Sequence, residues 1–115
     1  MDREFVRLPE FERQCKNIGM TEDDIKEIES ELLINPQVGA VMRGTGGLRK
    51  LRFALSIDKG KSGGARVVYI DFMFYEKIYL ITAFAKNEIE NLRKAERNEL
   101  KKLVEILENK LRKGR

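Results

Sequence analysis

Leu48-Arg-Lys-Leu-Arg-Phe-Ala-Leu55 places apolar Leu51, Phe53 and Leu55 at every second position, with Lys50, Arg52 and Ala54 between them. A period of two belongs to a strand with one buried and one open face. Lys50 and Arg52 are therefore expected side by side on the open face. Arg66 to Phe74 is almost continuously apolar, which predicts a second strand covered on both faces and so central in its sheet. Lys77 to Ala85 predicts a third, with Tyr75-Glu76 at the hairpin turn. Three consecutive strands imply an antiparallel meander. The Asp58–Gly64 connection is long for a hairpin and holds three glycines, so it is expected not to be rigid.

On both sides of this region the period changes to that of a helix. Glu4 to Arg7 fits a short edge strand. Pro9 then suits a first helical turn, and Phe11, Cys15 and Ile18 recur at helical spacing until Gly19 ends the segment. Thr21 with Asp24 reads as an N-cap pair, and Ile25, Ile28 and Leu32 form the stripe of a second helix stopped by Asn35-Pro36. Two short antiparallel helices joined at Gly19-Met20 are expected. Beyond Ala85, Asn87 with Glu90 resembles a capping box, and Leu100, Leu103, Val104, Leu107 and Leu111 make a helical stripe. The chain thus reads as one mixed α/β (α+β) domain over residues 1–115, a twisted antiparallel sheet with two N-terminal helices and one C-terminal helix.

Composition narrows the chemistry. With 42% hydrophobic and 37% charged residues, the chain is globular, not disordered. No apolar run nears the ~20 residues that span a bilayer, and the first residues show no export signal, so a cytoplasmic protein with no membrane partner is expected. Cys15 is the single cysteine, which rules out an internal disulfide; its place on an apolar stripe marks it as packing. There is no histidine. Ser-His-Asp and Cys-His sites are excluded, a zinc site would need carboxylates almost alone, and neither metal nor cofactor is expected. Catalysis would have to use Lys, Arg, Asp, Glu or Tyr with shifted pKa values, or charge stabilisation and positioning.

The net charge is +4, but its distribution is uneven. Residues 1–34 carry five basic and ten acidic side chains, whereas Arg43 to Arg66 carry seven basic residues against one acid, Asp58. Two glycine-rich stretches lie in the basic segment, Gly44-Thr-Gly-Gly-Leu-Arg-Lys-Leu-Arg52 and Asp58-Lys-Gly-Lys-Ser-Gly-Gly-Ala-Arg66. Neither is a nucleotide loop. Arg49 stands where a P-loop beginning at Gly44 needs its second glycine, Leu55 stands where one ending at Lys61-Ser62 needs its first, and both stretches run into strands instead of helices. Any one of Lys50, Arg52 and Arg66 alone reads as part of a solvated face. Together, with no acid between Arg43 and Ile57, they repel one another unless something anionic balances them, and phosphate is the expected balance. Lys59 and Lys61 read as peripheral contacts. Tyr69, Tyr75 and Tyr79 are of a type that stacks on bases, although tyrosines in such strands more commonly pack in or beside a core.

The run Gly44 to Arg52, then Gly60-Lys-Ser-Gly-Gly-Ala-Arg-Val-Val-Tyr69, then Ala83-Phe-Ala-Lys-Asn-Glu88 resembles the RelE/ParE superfamily of toxins from type II toxin–antitoxin pairs, closest to the HigB-type branch. The likeness covers nearly the whole chain. It implies a sheet that cradles mRNA and a ribosome-dependent endoribonuclease acting in the decoding site, with a 2′-OH attacking its own 3′-phosphodiester. It also implies a cognate antitoxin, expected to be a helix-turn-helix DNA-binding protein. Carried over by position, Lys50 and Arg52 fall on the family's catalytic basic pair, Arg66 on its Gly-x-Arg strand position, and Lys86 in the loop after the last strand. Arg49, Lys59, Lys61 and Asn87 complete the implied site as RNA-binding residues. The chain departs from several relatives in having Asn87 where they have arginine, and in offering Arg and Lys at Asn91-Leu-Arg-Lys94 where some have Tyr or His. The ParE branch shares the fold and inhibits DNA gyrase without cutting RNA, so a non-enzymatic inhibitor is the competing expectation, with a plain nucleic-acid-binding module as a third.

Overall fold

β4 (Ala65–Phe72) is the middle strand of a five-stranded sheet in the computed structural model, which describes residues 2–55, 64–86 and 92–114. Its burial explains its nearly unbroken apolar run: six consecutive residues from Ala65 to Ile70 are buried. β3 (Arg49–Phe53) and β5 (Lys77–Ala85) flank it antiparallel, as the meander reading requires. β1 (Glu4–Arg7) adds to the outer side of β5 in parallel. β2 (Ala40–Val41) closes the other edge against β3. Two residues are too few to show a period, so β2 leaves no sequence signal.

Alternation sends the sheet's side chains into two cores. On one face Leu51, Phe53, Val67, Tyr69, Ile78 and Leu80 meet α1 (Pro9–Asn17) through Phe11 and Cys15 and α2 (Glu22–Ile34) through Ile25, Ile28 and Leu32. On the other, Val68, Ile70, Phe72 and Ile81 meet Val104 and Leu107 of α3 (Lys94–Lys113), with Leu100, Leu103 and Leu111 beside them. The predicted leucine stripe is thus a core stripe. Fully burying each such side chain contributes about 1.5–3 kcal/mol.

Helix ends follow their local chemistry. The Thr21 hydroxyl accepts from the Asp24 N–H at 3.1 Å while the Asp24 carboxylate accepts from the Thr21 N–H at 3.0 Å, so two orphan donors are satisfied reciprocally. α3 begins at Lys94, and its first turn is closed by the Glu96 carboxylate accepting from the Arg93 N–H at 2.9 Å. The expected Asn87/Glu90 cap lies outside the described residues. The predicted strand through Phe74 stops at Phe72, and Met73–Tyr75 form a 3₁₀ turn that ends at Glu76 with φ 55°. This turn reverses the chain into β5 and leaves Phe74 73% exposed.

The first glycine-rich stretch makes the turn between β2 and β3. Gly44, Gly46 and Gly47 all have positive φ, which side chains disfavour. Thr45 is fully buried between them; its hydroxyl donates to the Met42 carbonyl at 2.6 Å and accepts from the Leu48 N–H at 3.2 Å. A Cβ on Gly46 would lie 3.6 Å from Val104. The turn is therefore packed against α3 at ordinary contact distance, and it is the positive φ, not a lack of space, that calls for glycine here.

Candidate nucleic-acid interface

The strand register gathers the basic residues. Arg52 lies directly opposite Arg66, which in turn lies opposite Phe84; the adjacent row on the same face is Lys50, Val68 and Thr82. Lys50 is half-buried, Arg52 is exposed and Arg66 is 5% exposed. The sequence expectation of an open face thus holds for Lys50 and Arg52, whereas Arg66 lies beneath the surface, with a guanidinium nitrogen donating to the Ala65 carbonyl at 3.3 Å. A central strand buries whatever its neighbours flank, and Arg66 has a strand on either side.

A bulge in β5 decides what joins this face. Val68 pairs with Thr82 but Tyr69 pairs with Leu80, leaving Ile81 as the extra residue. Such an insertion reverses the facing of everything beyond it. Ile78 and Leu80 point into the α1–α2 core, so without the bulge Thr82 and Phe84 would do the same. With it they turn to the side of Lys50 and Arg52, and Lys86 follows on the same parity. Lys86 is exposed, and its N–H donates to the Gly64 carbonyl at 3.2 Å, carrying the β4–β5 ladder one step past the strand.

Arg49 is not brought to this face. It has the parity of Leu51 and Phe53, and a guanidinium nitrogen donates to the carbonyls of Gly39 at 2.8 Å and Gln37 at 3.2 Å. It therefore ties the α2–β2 connection to the sheet, because a one-residue step along a strand changes the face. Lys59, Lys61 and Asn87 lie outside the described residues. Tyr69 is fully buried, with its hydroxyl donating to the Pro36 carbonyl at 2.7 Å and accepting from the Gly39 N–H at 2.9 Å. Burial pushes its phenol above the ordinary value, and its packing role is settled. Cys15 is 2% exposed, its thiol is 3.5 Å from the Met20 sulfur, and desolvation pushes its pKa up to about 12.

Beside the basic rows, a groove of about 520 Å³ runs under α3, with Lys50 on its wall. Val68, Thr82, Phe84, Leu100 and Leu103 line it, and Glu10, Glu96 and Glu99 add carboxylates. Glu10 reaches it because α1 runs on past β1, whose last ladder contact is the Leu8 N–H donating to the Leu80 carbonyl at 3.1 Å. Glu96 is held below the ordinary carboxylate range, chiefly by the Arg93 N–H. The sequence reading found no acid near the basic rows and missed these three. The available signal was helical spacing: Glu96, Glu99, Leu100 and Leu103 follow i, i+3, i+4, i+7 and so share one face of α3. Among the described residues, no three of His, Cys, Asp or Glu group as a metal site would require, and no helix is long and apolar enough to cross a membrane.

The family model for the RelE toxin of the RelE/RelB toxin–antitoxin system matches residues 8–113. The chain belongs to the RelE toxin family. It is thus the toxin member of a toxin–antitoxin pair, and an antitoxin is its implied partner. Among solved structures it is similar to a mutant of the E. coli toxin RelE in the free state, with 19% sequence identity, a TM-score of 0.50, and coverage of 76% of this chain and 86% of that one. At that identity the likeness bears on the fold, and it agrees with the mixed sheet-and-helix architecture of this RelE-family chain.

Proposed function

We propose that this RelE-family toxin is an mRNA endoribonuclease that inhibits translation, cutting mRNA on the ribosome. The observation that carries the reading is the placement of Lys50, Arg52 and Arg66 in adjacent rows of one sheet face, in a chain whose family is that of RelE toxins. In the proposed reaction a ribose 2′-OH loses its proton and attacks the adjacent phosphorus. The bond to the 5′-oxygen breaks, and that oxygen takes up a proton, leaving a 2′,3′-cyclic phosphate and a 5′-OH. The pentacoordinate phosphorane carries an extra negative charge, which positioned cations stabilise without reorganisation; one well-aimed donor of this kind is worth about 10²–10³ in rate. Arg52 is suited to a bidentate grip on the phosphate and Lys50 to a point charge or proton transfer. Arg66, fixed below the surface, adds positive potential, and Lys86 meets the strand of RNA at the rim. Inhibition of gyrase without RNA cleavage remains the competing reading, and the fold alone is compatible with it.

The test uses Lys50→Ala with Arg52→Ala, since Arg52 is exposed and Lys50 half-buried and their loss spares both cores. The double variant is expected to keep the wild-type far-UV circular dichroism and to lose both growth arrest and mRNA cleavage. Retained cleavage would show that the site is elsewhere. A toxic wild type that leaves mRNA intact would remove the nuclease reading.

A further inference from the structure

The turn from Gly44 to Gly47 presents charge that the proposed cleavage does not use. Gly44, Gly46 and Gly47 are exposed, and their N–H groups donate to no acceptor among the described residues. Three cations surround this bare backbone. Arg43 enters the turn, and two side chains of α3 lie against it: a Cβ on Gly44 would be 3.8 Å from the Arg97 side chain, and one on Gly46 would be 3.5 Å from that of Lys101. Arg43 and Lys101 are exposed and Arg97 is half-buried. Among the described residues, no ion pair or side-chain hydrogen bond engages any of the three. Glu105 follows Lys101 by one turn of α3 without pairing with it. Like charges gathered without a counter-ion repel one another, and unpaired N–H groups in a turn form an anion-binding concavity.

We propose that Arg43, Arg97, Lys101 and the glycine turn form a second contact site for the backbone of single-stranded RNA, apart from the basic rows. The proposal rests on the endoribonuclease reading for the identity of the strand, which is the mRNA already lying on Lys50 and Arg52. Position supports it. α3 packs on the sheet face that carries Val68, in the row of Lys50, so both sites open on the same side. Gly47 precedes Lys50 by three residues, about 10 Å of extended chain, which is about three stacked nucleotides. One strand can therefore lie on both. Arg and Lys side chains and backbone N–H groups offer donors and no acceptors, which suits phosphate. The cluster holds no aromatic or aliphatic anchor of the kind that carries a protein interface. Phosphate contacts set position and carry no sequence information. The patch thus strengthens the hold on any RNA long enough to reach it and leaves the choice of cut unchanged.

The test measures binding of 2′-O-methyl RNA, which has no attacking hydroxyl, to the full chain by fluorescence anisotropy. A trinucleotide is compared with a strand of about twelve nucleotides, which at about 3.4 Å each covers both sites. For Arg43→Ala with Arg97→Ala and Lys101→Ala, the long strand is expected to bind about ten-fold more weakly at low salt, with its log K against log salt flatter by about 2 for the three lost contacts. Trinucleotide binding is expected to stay at the wild-type level. Unchanged binding of the long strand, or an equal loss for both lengths, overturns the patch. Unchanged long-strand binding with weakened ribosome binding overturns it in favour of a ribosomal RNA contact, and with weakened antitoxin binding in favour of a protein-docking face. Should the triple variant not fold, Arg43→Ala decides alone, since Arg43 is exposed and outside α3. Its long-strand slope is expected to flatten by about 0.7, and an unchanged slope overturns the patch. Because the readout is binding, a wild type that cuts no RNA removes the nuclease reading and leaves this test standing.

Discussion

Tyr69 shows how much a single side chain can settle. Its ring is in the α1–α2 core, and its hydroxyl bridges the Pro36 carbonyl and the Gly39 N–H at 2.7 and 2.9 Å. Gly39 has no room for a side chain, since a Cβ there would lie 2.8 Å from the Tyr69 ring. Tyr69→Phe keeps the ring but strands a buried donor and acceptor, a loss of about 1–3 kcal/mol. Thermal denaturation is expected to show this as a lower Tm, with the proposed RNA cleavage retained at permissive temperature because the ring faces away from Lys50 and Arg52. Packing was the readable part of this residue's role, because strand position and aromatic character suffice for it. Its partners lie 33 and 30 positions away, at a distance no local pattern encodes.

At the scale of elements, Arg7 at the end of β1 ties the sheet to α2. Its guanidinium donates to Glu22 at 2.8 Å and to Glu29 at 3.0 Å. Those bonds raise the Arg7 pKa, and they hold Glu22 below its ordinary value of 4.5. A carboxyl with a lowered folded pKa gives stability that is complete above the unfolded value and is lost as the pH falls through the folded one. The wild type is therefore expected to lose urea resistance as the pH drops below about 4.5, and Arg7→Gln to lose less over the same range. Urea midpoints measured above and below that pH decide the matter, and parallel slopes for the two proteins would count against the Arg7 link. Most element boundaries here were legible, because caps and periods are local: Thr21 with Asp24, Asn35-Pro36 and the leucine stripe of α3 all act as read. The β5 bulge was not. Lys77 to Ala85 alternates too weakly to show where a residue is added, and pairing with β4 is what reveals it.

Across the whole molecule, charge is sorted by layer only in part, since Glu10, Glu96 and Glu99 line the groove beside Lys50. The acidic N-terminal helices cover one face of the sheet, and the basic rows open on the other, next to the groove under α3. The proposed RNA grip should therefore depend on salt. If Lys50, Arg52 and Lys86 each neutralise one phosphate, log K against log salt is expected to have a slope of about −2 on single-stranded RNA, and Lys50→Ala with Arg52→Ala should reduce it to about −1. Fluorescence anisotropy with a short RNA measures both, and an identical slope in the double variant would place the phosphates elsewhere.

By itself the sequence determined four of the five strands, the helices, the alternation that pairs Lys50 with Arg52, and the exclusion of histidine chemistry. These follow from periods and residue types that act over a few positions. Tertiary structure decided that Arg66 is covered, that Arg49 turns to the opposite face as a loop anchor, and that a bulge brings Thr82, Phe84 and Lys86 round to Lys50. It also decided that α1 and α3 set carboxylates beside the basic rows. The physical reason is that facing, burial and neighbouring charge depend on which strands and helices meet across the fold, and those meetings join residues tens of positions apart.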